Sequence, residues 1–205
     1  MYVPKIYKAE TEEVVFEYIK QNNFATLIGQ LDHKTIASHI PTYLSEEKDQ
    51  KYLIGHVAIQ NDLKHCFNGT QKLLAIFMNT HAYVSSSWYS HINVPTWNYI
   101  AVHVYGYAST LNETELSLSL QKLVEQHEKD REPRFTIEQM EEQNYKRQLK
   151  GIIGFKLSID SIEASYKLSQ NRNDQDYKNI IDQLEKSKVH SDQEVAHEMK
   201  NIRIF

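Results

Sequence analysis

The stretch HAYVSSSWYSHINVPTWNYIAVHVYGYAS, residues 81–109, decides the fold. From Trp97 the run WNYIAVHVYGY alternates large side chains with small or polar ones and is rich in β-branched and aromatic types. That is the period-two signature of a strand with one buried face. The preceding LLAIFMNTHAYVS also reads as a strand, with Asn79-Thr80 as a bend or bulge. Two strands therefore meet around a serine-rich corner that carries both tryptophans, Trp88 and Trp97. Buried tryptophan contributes a large apolar area and usually finds a partner for its N–H. The pair reads either as ordinary core or as the wall of a pocket. If the corner is the centre of the structure, truncating Trp97 to alanine costs about 3–5 kcal/mol.

At 205 residues the chain suits one large domain, or a domain with an appended helical part. A hydrophobic content of 40% is enough for a real core. The net charge of −4 is not the basic footprint of a protein that neutralises many phosphates by itself. Cys66 is the single cysteine, which excludes an intrachain disulfide and any multi-cysteine metal cluster and fits a reducing compartment. The start, MYVPKIYKAE, has no apolar signal core, and no run approaches a membrane span. A soluble cytoplasmic protein with no membrane partner is expected.

Working outward, Thr11 reads as a helix cap, with Val14, Val15, Tyr18 and Ile19 as an apolar stripe. FATLIGQL (24–31), TIASHIPTYL (35–44) and YLIGHVAI (52–59) are strands, and Pro41 places the second at an edge or a bulge. Asn61-Asp62 opens a short helical or irregular link. Beyond the corner, Asn112 caps a helix with Leu116, Leu120, Leu123 and Val124 on one face. Residues 136–149 read as a second, charged helix, and GIIGFKLSIDSI (151–162) returns to strand alternation. Helices then span about 174–188 and from Ser191 to the final Ile202–Phe205 segment. Strands in a run, with helices set apart, imply an α+β antiparallel meander or barrel. Residues 1–185 are expected to form one domain, with 186–205 as a helical tail on it.

The chemistry is sparse. Ten histidines show no metal-ligand spacing, since His127-Glu128 and His197-Glu198 both lack the second histidine, so no metal site is assigned. Ser85, Ser86 and Ser87 lack a nucleophile elbow, and the six glycines stand singly, so no phosphate-cradling loop exists. No catalytic residue is assigned. The remaining constellation is KLSQNR, Lys167 to Arg172: two cations with amide and hydroxyl groups that could clamp a phosphate or carboxylate. A solvated loop whose Asn171 or Asn173 caps the next helix is the other reading.

The opening MYVP, the SHIP of residues 38–41, GHVA at 55–58 followed by Asn61, AYVSSSWY at 82–89, VPTWNY at 94–99 and KLSQNR at 167–172 carry a resemblance. Together they resemble the PaiB-type FMN-binding negative transcriptional regulators of protease synthesis and sporulation. The resemblance implies an antiparallel split β-barrel with flanking helices and a C-terminal helical extension. It also implies a homodimer with flavin at the subunit interface. Two motifs depart from the family pattern: Ile59 and Asp62 stand where the family has arginine and proline, and Ser86 stands where it has proline. Ile59 offers neither charge nor donor to a phosphate.

The resemblance implies FMN held by His56, Asn61, Ser86, Ser87, Trp88, Trp97, Asn98, Lys167, Gln170 and Arg172. Trp88 and Trp97 would wall the ring, Lys167 and Arg172 would hold the anionic end, and Ser86, Ser87 and Asn98 would orient it. Repression would act directly or through a partner. If DNA is bound directly, Lys186, Lys188, Lys200 and Arg203 on the terminal helices are the candidates. Two other readings stand beside it. One is a flavin- or haem-dependent oxidoreductase using His39, His56 or His103; the other is a cofactor-free relative acting through its surface.

Overall fold

The computed structural model describes residues 1–203; Ile204 and Phe205, the end of the expected terminal segment, lie outside the described residues. The elements in order are α1 (Glu12–Gln21), β1 (Phe24–Leu31), β2 (Lys34–Glu47), β3 (Gln50–Ala58), β4 (Asn68–Phe77), β5 (His81–Val84), β6 (Thr96–Thr110), α2 (Glu113–Glu128), α3 (Glu142–Leu149), β7 (Ile152–Lys167), α4 (Asp174–Lys186) and α5 (His190–Ile202). The sheet order is β4-β1-β2-β3-β7-β6-β5, and β4 also pairs with β6. The chain divides into two compact units. One holds residues 1–18, 77–103 and 163–205, and the other holds 19–76 and 104–162.

The second unit contains the closed part of the sheet. Two tight hairpins build it, β1–β2 through Asp32-His33 and β2–β3 through Lys48-Asp49, all four residues at positive φ. Such turns match the natural twist of paired strands. The closing pair of a two-residue hairpin exchanges both hydrogen bonds, so Leu31↔Lys34 sets the phase of the ladder. Even-numbered residues of β2 therefore bond towards β1 and odd-numbered residues point the other way. Thr42 N–H donating to Asn23 O at 2.8 Å fits this phase.

Pro41 explains where β2 changes partner. The β1–β2 register ends at Phe24↔Pro41, and the β2–β3 register begins at Thr42↔Gly55. Position 41 is odd and faces the β3 side, and proline has no N–H to give there. β3 continues alone along β7, from Gly55↔Phe155 to Ala58↔Ile152. The ladder thus splits at Pro41, and Asn61 Nδ2 crosses the gap to Ser38 Oγ at 2.7 Å. On the far side β6 and β7 approach closely: a Cβ on Gly106 would stand 2.1 Å from Ser158 O, so glycine is required. Leu27, Leu53, Leu73, Phe155 and Leu157 fill the interior of this unit.

The first unit is built around α4 and α5. Tyr177, Ile180, Leu184, Val195 and Met199 are fully buried. Burial pushes the Tyr177 hydroxyl up to about 12, and it donates to Met199 O at 2.8 Å. The expected single strand across residues 73–85 is instead two strands, β4 and β5, broken at residues 78–80. At the break the Asn79 and Thr80 N–H groups donate to Tyr18 Oη, which itself donates to Ile100 O at 3.3 Å. The hydroxyl stands in for the missing ladder. The expected helix over 136–149 is likewise divided, into a 3-10 turn at Ile137–Gln139 and α3. Among the described residues no helix is long and apolar enough to cross a membrane.

Candidate functional site

The first unit gathers the corner and the KLSQNR loop. β5 and β6 pair His81↔Tyr99 and Tyr83↔Trp97, so period-two alternation puts these four rings on one face. Trp97 is 53% exposed and Tyr83 45%. Their rings meet edge-on at 5.8 Å, and the His81 ring lies 6.1 Å from Trp97. Trp97 is therefore an exposed aromatic ledge and not core, which removes the large cavity cost expected for its truncation. Trp88 is half-buried on a 3-10 turn, where its carbonyl accepts from Asn179 Nδ2 at 3.2 Å.

Lys167 ends β7 and Arg172 closes the loop after it. Lys167 Nζ donates to Thr96 Oγ1 at 2.6 Å and stands 5.9 Å from the Tyr99 ring. The Arg172 guanidinium lies 4.5 Å over the Tyr89 ring, and its buried Nε has no hydrogen-bond partner. Burial, then repulsion from Arg172, holds the Lys167 ammonium below the usual lysine range. Among the described residues neither cation meets a carboxylate. Two adjacent cations, one with a buried unused donor, make a set that an anion completes.

The loop itself is held by its own groups. Gln170 Oε1 accepts from Leu168 N–H at 2.8 Å while its Nε2 donates to Tyr166 O. Ser169, at φ +63, donates its hydroxyl to Asn98 Oδ1 at 3.0 Å. Asn98 is fully buried, and its Nδ2 reaches Met199 Sδ at 3.5 Å. Asn98 and Gln170 thus position the loop from beneath. Arg203 donates to the carbonyls of Gln170 and Arg172 and pairs with Asp174, so this terminal cation is used within the unit. Lys200 likewise pairs with Glu185.

At the corner, Ser85 Oγ accepts from Ser87 N–H at 3.2 Å and lies 2.8 Å from Ser87 Oγ; Ser87 is exposed and Ser86 half-buried. The end of the corner is clasped by Asp176. This fully buried carboxylate accepts from Ser90 N–H at 2.7 Å and from Asn173 Nδ2 at 3.0 Å, and it lies 3.2 Å from His91 Nδ1. Those contacts, the Ser90 N–H first, hold its carboxyl below the usual range.

His56 and Asn61 belong to the other unit. Asn61 caps the 3-10 turn at Asp62–Cys66 through Leu63 N–H at 3.0 Å and bonds Ser38, so both ends of its amide are engaged. His56 Nδ1 is buried without a partner, and burial lowers the ring's pKa, so the imidazole is neutral at pH 7. Ile59, next to this stretch, is 42% exposed. Sequence reasoning missed Tyr89, Thr96 and Asp176 as site residues and named Arg203 only as a candidate DNA contact; their contacts span long separations. Tyr89 and Thr96 lay within quoted motifs, AYVSSSWY and VPTWNY, with no role given to either.

A protein-family model described as "Putative FMN-binding domain" matches residues 1–161. The chain belongs to this family. It is 39% identical over 201 residues to the protease synthase and sporulation protein PAI 2 of Bacillus subtilis (strain 168), covering 98% of this chain and 97% of that protein. It is also 32% identical over 108 residues to an uncharacterised protein of Saccharomyces cerevisiae, over 49% of this chain and 64% of that one. Among solved structures, the flavocytochrome Anf3 of Azotobacter vinelandii matches with a TM-score of 0.61 at 14% identity, covering 86% of this chain and 78% of that one. The FAD and heme binding protein of Mycobacterium smegmatis matches at 0.58 and 12% identity, over 78% and 73%. These likenesses establish the α+β split-barrel fold of the FMN-binding family member described here, as its motifs imply.

Proposed function

We propose that this family member is a flavin-linked regulator of the PaiB type. It binds FMN through the phosphate at Lys167 and Arg172, with the ring system against the exposed Tyr83–Trp97 ledge. The observation that carries this reading is the buried, unpartnered Arg172 Nε beside a lysine that also lacks an acidic partner. Thr96 steers the Lys167 ammonium, Tyr89 supports the guanidinium from below, and Asn98 with Ser169 fixes the loop between them. Bound FMN supplies a planar, redox-active ring. The exposed aromatic ledge, with Ile92 and Val94 exposed on the corner, supports pairing of two copies over the ring. The role is ligand-linked repression of protease- or sporulation-type genes, directly or through a regulatory partner; the relative's name supports the protease and sporulation context, and the net charge of −4 favours a partner over direct DNA contact.

The test is a visible spectrum of purified protein, taken before and after addition of FMN and desalting. Retained flavin bands, lost in K167M/R172M, support the proposal. A protein that retains no flavin after loading overturns it, and a Soret band moves the assignment to haem.

A further inference from the structure

We infer that the split between β2 and β3 is a docking groove for an extended peptide with a free C-terminal carboxylate, which adds as a strand to the open edge of β2. The inference stands apart from the flavin reading and uses only the second unit. Between Lys34–Ala37 on one wall and Gln60–Asp62 on the other lies an open cavity of about 460 Å³. The hairpin phase turns the main-chain N–H and C=O of Thr35 and Ala37 away from β1 and towards this space. The β2–β3 ladder begins only at Thr42↔Gly55, so β3 does not cover them.

Unpaired strand edges are templates for another strand, and successive outward residues repeat at roughly 7 Å, the spacing of a peptide's own alternate amides. The walls carry two charges, Lys34 and Asp62, and among the described residues neither has an ion-pair partner. Lys34 stands at the N-terminal end of β2. A strand added antiparallel to Thr35–Ala37 ends there, and its carboxylate meets the Lys34 ammonium. Asp62 offers a counter-charge for a cationic residue or an N-terminal ammonium on the opposite wall. Asn61 is held by Ser38 and Leu63 and so forms a fixed part of that wall.

The test uses the full chain labelled with nitrogen-15 and a random tetrapeptide pool, supplied once with free C-termini and once amidated, at on the order of 1 mM. The expected result is shifts of the Thr35 and Ala37 amide signals with the free-acid pool and at least about ten-fold weaker binding of the amidated pool. Ala37→Pro removes the outward N–H at a position in the same phase as Pro41, so it spares the β1–β2 ladder and abolishes the shifts; Ala37→Val keeps them. Absence of shifts, equal binding of the two pools, or binding retained in Ala37→Pro overturns the inference. Inorganic phosphate moving the same amides as strongly also overturns it, in favour of a phosphate ligand.

Discussion

Asn61 Nδ2 donates to Ser38 Oγ at 2.7 Å, the one side-chain bridge recorded across the gap where β2 parts from β3 among the described residues. The same amide caps a 3-10 turn through Leu63 N–H. Asn61→Ala loses both and is expected to cost about 1–2 kcal/mol. Asn61→Asp keeps the cap alone and should recover roughly half of that. Urea unfolding with an unchanged slope would show it as a shift of midpoint. Equal midpoints for wild type and Asn61→Ala would show that the bridge contributes nothing.

Trp97 and Leu157 make a contrasting pair. Leu157 is fully buried and its change to alanine should cost about 2–5 kcal/mol. Trp97, half in solvent, should lose no more than about 1.5 kcal/mol on the same change, chiefly its edge contact with Tyr83. In the flavin reading the same variant weakens FMN retention. Thermal or urea denaturation of the two variants decides the first point, and the desalting spectrum decides the second.

Lys167 and Arg172 link anion binding to pH. Because the Lys167 ammonium is held below its ordinary value, the free site loses a charge as pH rises through that depressed value, before the usual lysine value near 10.4. FMN affinity should therefore fall in that alkaline window. The stability sign is opposite: the folded state binds fewer protons than the unfolded chain there, so Lys167 costs stability at low pH and the cost fades as pH rises. Arg172→Met removes one of the two causes and should move the affinity drop to higher pH. Each cation lost should weaken FMN about 10–100-fold. Binding titrations followed by flavin fluorescence from neutral to alkaline pH check all three.

Asp176 gives the acid limb. Its carboxyl is held low, so its contribution is fully present above the ordinary aspartate value near 3.9 and is lost as pH falls through the folded value. Asp176→Asn should lower stability at neutral pH and flatten the pH dependence below about pH 4. Acid unfolding monitored by tryptophan fluorescence reads both. A variant with the wild-type acid profile would remove Asp176 from the clasp.

Much of the fold was legible because it is written locally. Asn112 reads as a cap and forms a full capping box with Glu115, and Asn173 caps α4 through Asp176 N–H. The strand 24–31 follows directly from its alternation. Pro41 announced an irregularity, but not its kind, because a change of partner depends on which strands lie alongside. The break at residues 78–80 depends on Tyr18, far away in sequence. β7 runs on past the expected end at Ile162 to Lys167. The candidate site was half legible. Its cations stand in one short motif, whereas Tyr89, Thr96 and Asp176 are brought to it only by folding.

The alternation along β2 leaves a record in time as well as in space. From Lys34 to Pro41 one strand carries amide protons of two kinds, those of Ile36, Ser38 and Ile40 locked against β1 and those of Thr35 and Ala37 facing the open groove. Solvent deuterium should replace the second set long before the first, so neighbouring residues of one strand differ in lifetime. Beyond Thr42, where β3 takes up the odd positions and β1 no longer runs alongside, the contrast should invert, with Tyr43 and Ser45 protected and Leu44 and Glu46 exchanging early. A single imino acid thus marks the boundary between a stretch that exchanges at its odd positions and one that exchanges at its even positions.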